Sequence, residues 1–310
     1  MHLYRQNVNR GMIDIRQQSA PSTEMPGTFA TAGSSQGQMI FRDYNPMGRQ
    51  CVRRFVPIAA AILSAFAAGQ ASNAQDSAAA ARPTQPVLVE LFTSEGCSSC
   101  PPADALLARL DATQFVPGAH AIVLSEHVTY WNHLGWRDPF SLDSISERQQ
   151  AYATRFGLSG VYTPQVVVDG AAEVVGSDAG AVERAVAQAA MSAKPELTIP
   201  SVAWQGDTLH FAVQGTGAQH LVLMAALAED ATQVSVSKGE NAGRVLQHVA
   251  VVRVLKEMGL DAADGLPLTL KLPEEETSKD QKRGLRVVVF LIDKRSGKVG
   301  AVSERQVGRT

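Results

Sequence analysis

Cysteine is scarce in this chain, with three residues in 310, at Cys51, Cys97 and Cys100. The fold cannot rest on a mesh of disulfides, and 45% hydrophobic content points to one or two globular domains with real cores. Charge is sparse as well. Charged residues make up 19% of the sequence, the formal net charge is −2, and no dense basic stripe occurs, so no nucleic-acid partner is expected. No apolar run is long enough for a comfortable membrane span: Phe55 to Ala68 gives about fourteen residues against the roughly twenty a bilayer needs. The glycine-rich stretch Gly239 to Arg244 lacks the spacing of a phosphate-binding loop and reads as a hairpin connection.

What is present changes along the chain. Residues 1–46 are irregular and rich in Gly, Ser, Gln and Met, which reads as a disordered extension or a mis-assigned start, with Met47 a sensible start. Arg49, Arg53 and Arg54 then precede the apolar stretch, and small residues follow through Ala74. That basic, apolar, small order is a secretory signal over residues 47–74, cleaved after Ala74, and the short run argues against the competing reading of a retained anchor. A periplasmic or secreted protein with no stable membrane insertion is expected. From residue 75 onward, 21 Lys and Arg stand against 27 Asp and Glu. Removing the signal also removes Cys51, leaving Cys97 and Cys100 in a compartment where disulfides persist.

Residues 75–85 are Ala-rich and read as a tether. The apolar run Pro86 to Phe92, broken only by Glu90, predicts a buried strand. Helical spacing follows at Ala103–Leu110, a second buried strand at His120–Ser125 and a second helix at Ser144–Phe156. Gly160 to Gly170 is β-rich and ends in an Asp-Gly turn, and Ser177–Ala193 is an Ala-rich helix with Asp178 as candidate N-cap. Pro164 cannot donate to a central ladder, so it belongs at a strand start or edge, and its peptide bond is a candidate for cis. From about Pro195, short β runs (Leu197–Trp204, Leu209–Val213, Leu221–Leu227, Val245–Leu255, Leu268–Leu272 and Leu285–Ile292) predict a mainly antiparallel second domain. Pro273 to Arg283 reads as a charged loop.

Two segments resemble the thioredoxin-like fold: Val87–Glu90 leading into Cys97-Ser98-Ser99-Cys100, and Gly160–Pro164 followed by Val166–Gly170. A more specific resemblance, over about residues 86–307, is to a bacterial secreted family, domain of unknown function 1223. It is carried by Glu90 through Asp104, by His127, Tyr130-Trp131, Leu134-Gly135-Trp136, Asp138-Pro139-Phe140, Arg148-Gln149 and Tyr162–Gln165, and by Lys238–Arg244 with His248. The resemblance implies an α/β fold class: a thioredoxin-like domain over 86–194, then a mainly antiparallel β-sandwich-like domain over 195–310.

The expected chemistry is thiol–disulfide exchange, in which one thiolate attacks and a second thiol resolves the mixed disulfide. Cys97, nearer the helix start and the loop, is the expected nucleophile and Cys100, one turn in and more buried, the resolving thiol, with Thr163 and Pro164 against the sulfurs. Glu90 stands where thioredoxin-like reductases carry a buried acid and would take a proton from Cys100, although one extra residue separates it from Cys97; a structural acid is the alternative. His127, Trp131 and Trp136 lie in an aromatic insertion that would wall a substrate groove or simply cap the sheet. No cofactor is expected, and the spacing of His127 and His133 with the cysteines is weak for a metal. The partners would be protein or small thiol and disulfide substrates. The alternative function is a non-catalytic secreted binding module whose Cys97–Cys100 disulfide is structural.

Overall fold

Gln85–Thr93 (β1) is buried at every position from Val87 to Thr93, so it lies at the centre of a sheet with neighbours on both sides and cover on both faces. In the computed structural model, which describes residues 84–215, 221–258, 267–273 and 284–308, β1 leads through the cysteine loop into Pro101–Thr113 (α1). Two prolines open that helix, where a missing N–H costs nothing, and Gln114 closes it in the left-handed region. Ala119–His127 (β2) returns parallel to β1, with Glu90 opposite Leu124 and Thr93 opposite His127.

Asp143–Phe156 (α2) ends at Gly157, and Gln165–Val168 (β3) then pairs antiparallel with β1. Asp169 and Gly170, both at positive φ, turn the chain into Ala172–Val175 (β4). Gly170 has no alternative, because an added Cβ would stand 2.0 Å from the Gly297 carbonyl oxygen. Ala179–Ala189 (α3) follows, and its N-cap Asp178 accepts from the Ala181 N–H at 2.9 Å.

The remaining strands are Leu197–Gln205 (β5), Thr208–Gly215 (β6), Leu221–Ser235 (β7), Val245–Met258 (β8), Leu268–Lys271 (β9), Leu285–Asp293 (β10) and Val299–Gln306 (β11). Four of them extend the first sheet, giving eight strands in the order β11-β10-β7-β8-β2-β1-β3-β4. The joint is the parallel contact of β2 with β8 at Ser125 and Val251. Strands from before and after residue 194 thus share the larger sheet. β5, β6 and β9 form a separate three-stranded sheet. Strand alternation divides the cores: Leu223, Leu227, Val287, Val289 and Leu291 pack with the small sheet, while Val222, Ala226, Val288, Phe290 and Ile292 join the core around β1 and β2.

The fold is mixed α/β, mostly strand, with one large sheet and three α-helices among the described residues. β11 was not anticipated, and β7 and β8 outrun their expected ends. The expected extension 1–46, the signal 47–74, residues 75–83 of the tether and residues 274–283 of the charged loop lie outside the described residues.

If the small sheet shares one cooperative unit with the large one, Leu209→Ala, at a fully buried β6 position, lowers unfolding free energy by about 2–5 kcal/mol in urea and keeps a single transition. Two separated transitions would contradict the shared unit.

Candidate functional site

Cys97 and Cys100 form a disulfide, with Cα atoms 5.4 Å apart. Cys100 is the N-cap of α1, and Cys97 lies one tight turn earlier, so the residue beside the helix is Cys100 and not Cys97 as expected. Ser98 and Ser99 are exposed, yet both cysteines are 0% exposed. The connection between β7 and β8 is bonded to this loop. Its buried Asn241 donates from Nδ2 to the carbonyls of Glu95 (2.8 Å) and Cys97 (2.9 Å), and Arg244 holds the Asn241 Oδ1 at 3.1 Å. Glu240 on the same connection accepts from the Ser98 N–H at 3.2 Å. The segment expected as a plain hairpin connection is thus pinned to the cysteine loop.

Behind this loop lies a buried cluster of acids and imidazoles. Thr93, at the end of β1, donates to Asp104 Oδ1 at 3.0 Å. His248 on β8 stands between two carboxylates, with Nδ1 3.6 Å from Asp104 Oδ1 and Nε2 3.8 Å from Glu95 Oε1. His127, at the end of β2, donates from Nδ1 to Asp138 Oδ2 at 2.7 Å, and its ring packs edge-on against His248, centroids 4.7 Å apart. The Glu95 N–H also donates to Asp138.

Charge follows from these contacts. Burial, then the nearby Asp138 charge, pushes Glu95 up to about 7, against the opposing pull of the Trp136 hydrogen bond and His248. Burial disfavours a charged His248, but Asp104 first, then Glu95 and Asp138, outweigh it and hold the imidazole above its ordinary value. Burial likewise works against Asp138, and His127 with two backbone N–H groups overcomes it, keeping that carboxyl below its usual range. Glu95 Oε1, His127 Nε2 and both His248 nitrogens have no hydrogen-bond partner. No group of three or more His, Cys, Asp or Glu among the described residues is arranged to hold a metal.

The other expected site residues fall in three places. Glu90 is not beside Cys100. It lies three residues before Thr93, on the opposite face of β1, where it accepts from Arg148 Nε (2.6 Å) and the Tyr152 hydroxyl (2.7 Å). Glu126 shares that network, and burial together with the Glu90 charge keeps its carboxyl well above the usual range. Thr163–Pro164 is cis, and Pro164 approaches α1 at Ala103; with Leu91 they come within 3.2 Å of where a Gly176 Cβ would stand. Thr163 Oγ1 accepts from Trp131 Nε1 at 2.8 Å.

His127 is enclosed and Trp136 donates to Glu95 Oε2 at 2.7 Å, so both face the cluster instead of an open groove. A cleft of about 810 Å³ does open on the insertion, lined by Thr129, Tyr130, Asn132, His133, Arg137 and Ser141 among others, but not by His127, Trp131 or Trp136. Sequence reading missed the roles of Glu95, Asp104, Asn241 and His248. All four lie in the segments that carried the family resemblance, and that was the available signal.

Residues 88–291 match the family model described as "Protein of unknown function (DUF1223)". The crystal structure of a protein from Agrobacterium tumefaciens is 28% identical, covers 73% of this chain and 96% of its own, and has a TM-score of 0.53. A β-glucuronidase from Bacteroides uniformis aligns at 14% identity over 38% of this chain and 13% of its own, with a TM-score of 0.17. No curated protein matches the chain.

The folded protein holds the Glu95 proton more tightly than the unfolded chain does. Its contribution to stability is full below pH 4.5 and fades as pH rises to about 7, by about 3 kcal/mol at most. Glu95→Gln, which cannot ionise, therefore loses less stability than wild type between pH 5 and pH 8 in urea unfolding. Equal losses in the two proteins would contradict the raised carboxyl.

Proposed function

Since the chain belongs to the DUF1223 family, whose name assigns no reaction, we propose from the site itself that it is an exported thiol–disulfide oxidoreductase-like protein with Cys97 and Cys100 as the redox pair. The observation that carries this reading is the disulfide closed at the N-terminus of α1 beside a buried acid–imidazole cluster. A helix N-terminus favours a thiolate, and strongly perturbed titratable groups gather where proton transfer is needed. The cis Thr163–Pro164 bend near the start of α1 is in keeping with a thioredoxin-like arrangement of residues 86–194. Ser98-Ser99 brings no cation to the pair, so a strongly oxidising protein is not proposed. Protein or small thiols and disulfides are the proposed substrates, in the periplasm or outside the cell.

A second reading has its own observation. Both cysteines are sealed, which suits a non-catalytic binding module with a structural disulfide. Exchange requires the Lys238–Arg244 connection to lift, and Asn241 is its buried anchor. Asn241→Ala removes three hydrogen bonds, two of them to the cysteine loop, and is expected to speed reduction of the pair by dithiothreitol about 10-fold. An unchanged rate would contradict the cap.

The deciding experiment is partner trapping with Cys100→Ser in the periplasm, combined with redox titration of the wild type. Mixed disulfides through Cys97 and a potential above about −300 mV are expected. A potential well below that, with no trapped partner, leaves the structural reading standing.

A further inference from the structure

We propose that the chain of groups Asp104–His248–Glu95, and not Glu90, exchanges the proton with the Cys97–Cys100 pair, with Asp104 and His248 passing it and Glu95 as its store. The inference rests on the redox reading above and names the residues that serve it.

The geometry is specific. Asp104 follows Cys100 by four residues, and its N–H donates to the Cys100 carbonyl at 3.1 Å, so the two side chains occupy the same face of the first turn of α1. Glu95 precedes Cys97 by two residues, and its carbonyl is tied with that of Cys97 to the single Asn241 amide. His248 joins the acids on either side of the disulfide, Nδ1 towards Asp104 and Nε2 towards Glu95. The face of β1 that carries Thr93 holds this chain, and Glu90 points to the other face.

During reduction, the thiolate of an external thiol attacks Cys97 Sγ. A new S–S bond forms to Cys97, the Cys97–Cys100 bond breaks, and its electron pair goes to Cys100 Sγ. That thiolate takes the proton of the His248 imidazolium through Asp104, leaving a Cys100 thiol and a neutral imidazole, which the Glu95 proton then restores. A second external thiolate attacks the external sulfur of the mixed disulfide, releasing Cys97 as a thiolate and the oxidised external disulfide. Oxidation reverses each transfer.

The groups facing His248 are Asp104 from α1, Glu95 and Asp138 from loops, and the His127 ring from β2; Arg253, on the same strand, stacks on Phe140, which itself packs against His248. The acids around His248 favour its charged form against the cost of burial, and Glu95, pushed up to about 7, carries a proton for it.

The test is reduction of the full chain by dithiothreitol across pH 5–9. Thiol labelling read by peptide mass spectrometry follows Cys97 and Cys100, and rates are divided by the dithiothreitol thiolate concentration. The wild-type rate is expected to fall as pH rises through a value above that of ordinary imidazole. His248→Gln and the isosteric Asp104→Asn are each expected to slow reduction about 100-fold at pH 7 and flatten the profile. Should His248→Gln fail to fold by circular dichroism, Asp104→Asn carries the test alone. A wild-type profile that survives in a folded variant, or that is lost only in Glu90→Gln, overturns the assignment. Dithiothreitol reports on the disulfide whatever its natural partner, so a failure here is distinguishable from absent trapped partners.

Discussion

The burial of β1 on both faces is the constraint from which the rest of the site follows. A strand covered on both sides cannot leave a polar side chain in water, so Glu90 and Thr93 must each find partners inside the protein. Three residues apart, they point to opposite faces. Glu90 draws in Arg148 and Tyr152 from α2, and with them Glu126, its near neighbour across the β1–β2 ladder. Thr93 meets Asp104 from α1 and so opens the cluster that reaches His248 and Glu95. One strand thereby separates a structural ion pair from a group of titratable side chains beside a disulfide.

Both networks leave buried polar atoms unpaired: Glu126, beside Glu90, has neither carboxylate oxygen hydrogen-bonded. Both Glu90 oxygens accept charge-assisted or hydroxyl hydrogen bonds at 2.6–2.7 Å. In the other network His248 and one Glu95 oxygen lack hydrogen bonds altogether and are held by charge at 3.6–3.8 Å. Each buried polar atom left unpaired costs on the order of 1–3 kcal/mol. Those beside the Cys97–Cys100 pair are the ones on which the proposed proton transfer draws. The connection that carries the Asn241 clasp is exposed at most other positions, with Asn241 and Glu240 tying it to the cysteine loop.

Local structure was largely legible. Apolar runs located β1, β2 and β10, helical spacing located α1, serine and aspartate starts located α2 and the Ala-rich α3, and the Asp-Gly pair located the β3–β4 turn. The second half of β7, the last three residues of β8 and all of β11 escaped because polar residues recur through Ala231–Ser235, Lys256-Glu257 and Ser303–Gln306 and break the apolar signal. The continuity of the sheet was not legible either, since the β2–β8 contact joins Ser125 to Val251 and leaves no local pattern. The cysteine pair was plain from spacing, whereas the cluster behind it joins residues from Glu95 to His248, far apart in sequence. For Glu90 the legible signal was strand parity: three residues from Thr93, it lies on the opposite face of β1.

The measurement that bears most directly on the account is the titration of the His248 imidazole by nuclear magnetic resonance in the oxidised and reduced protein. Coupling to the Cys97–Cys100 pair requires its pKa to differ between the two states, above ordinary imidazole in the oxidised form and higher again where a cysteine thiolate forms nearby. The same titration in both states would contradict it and leave the cluster a structural feature of the fold.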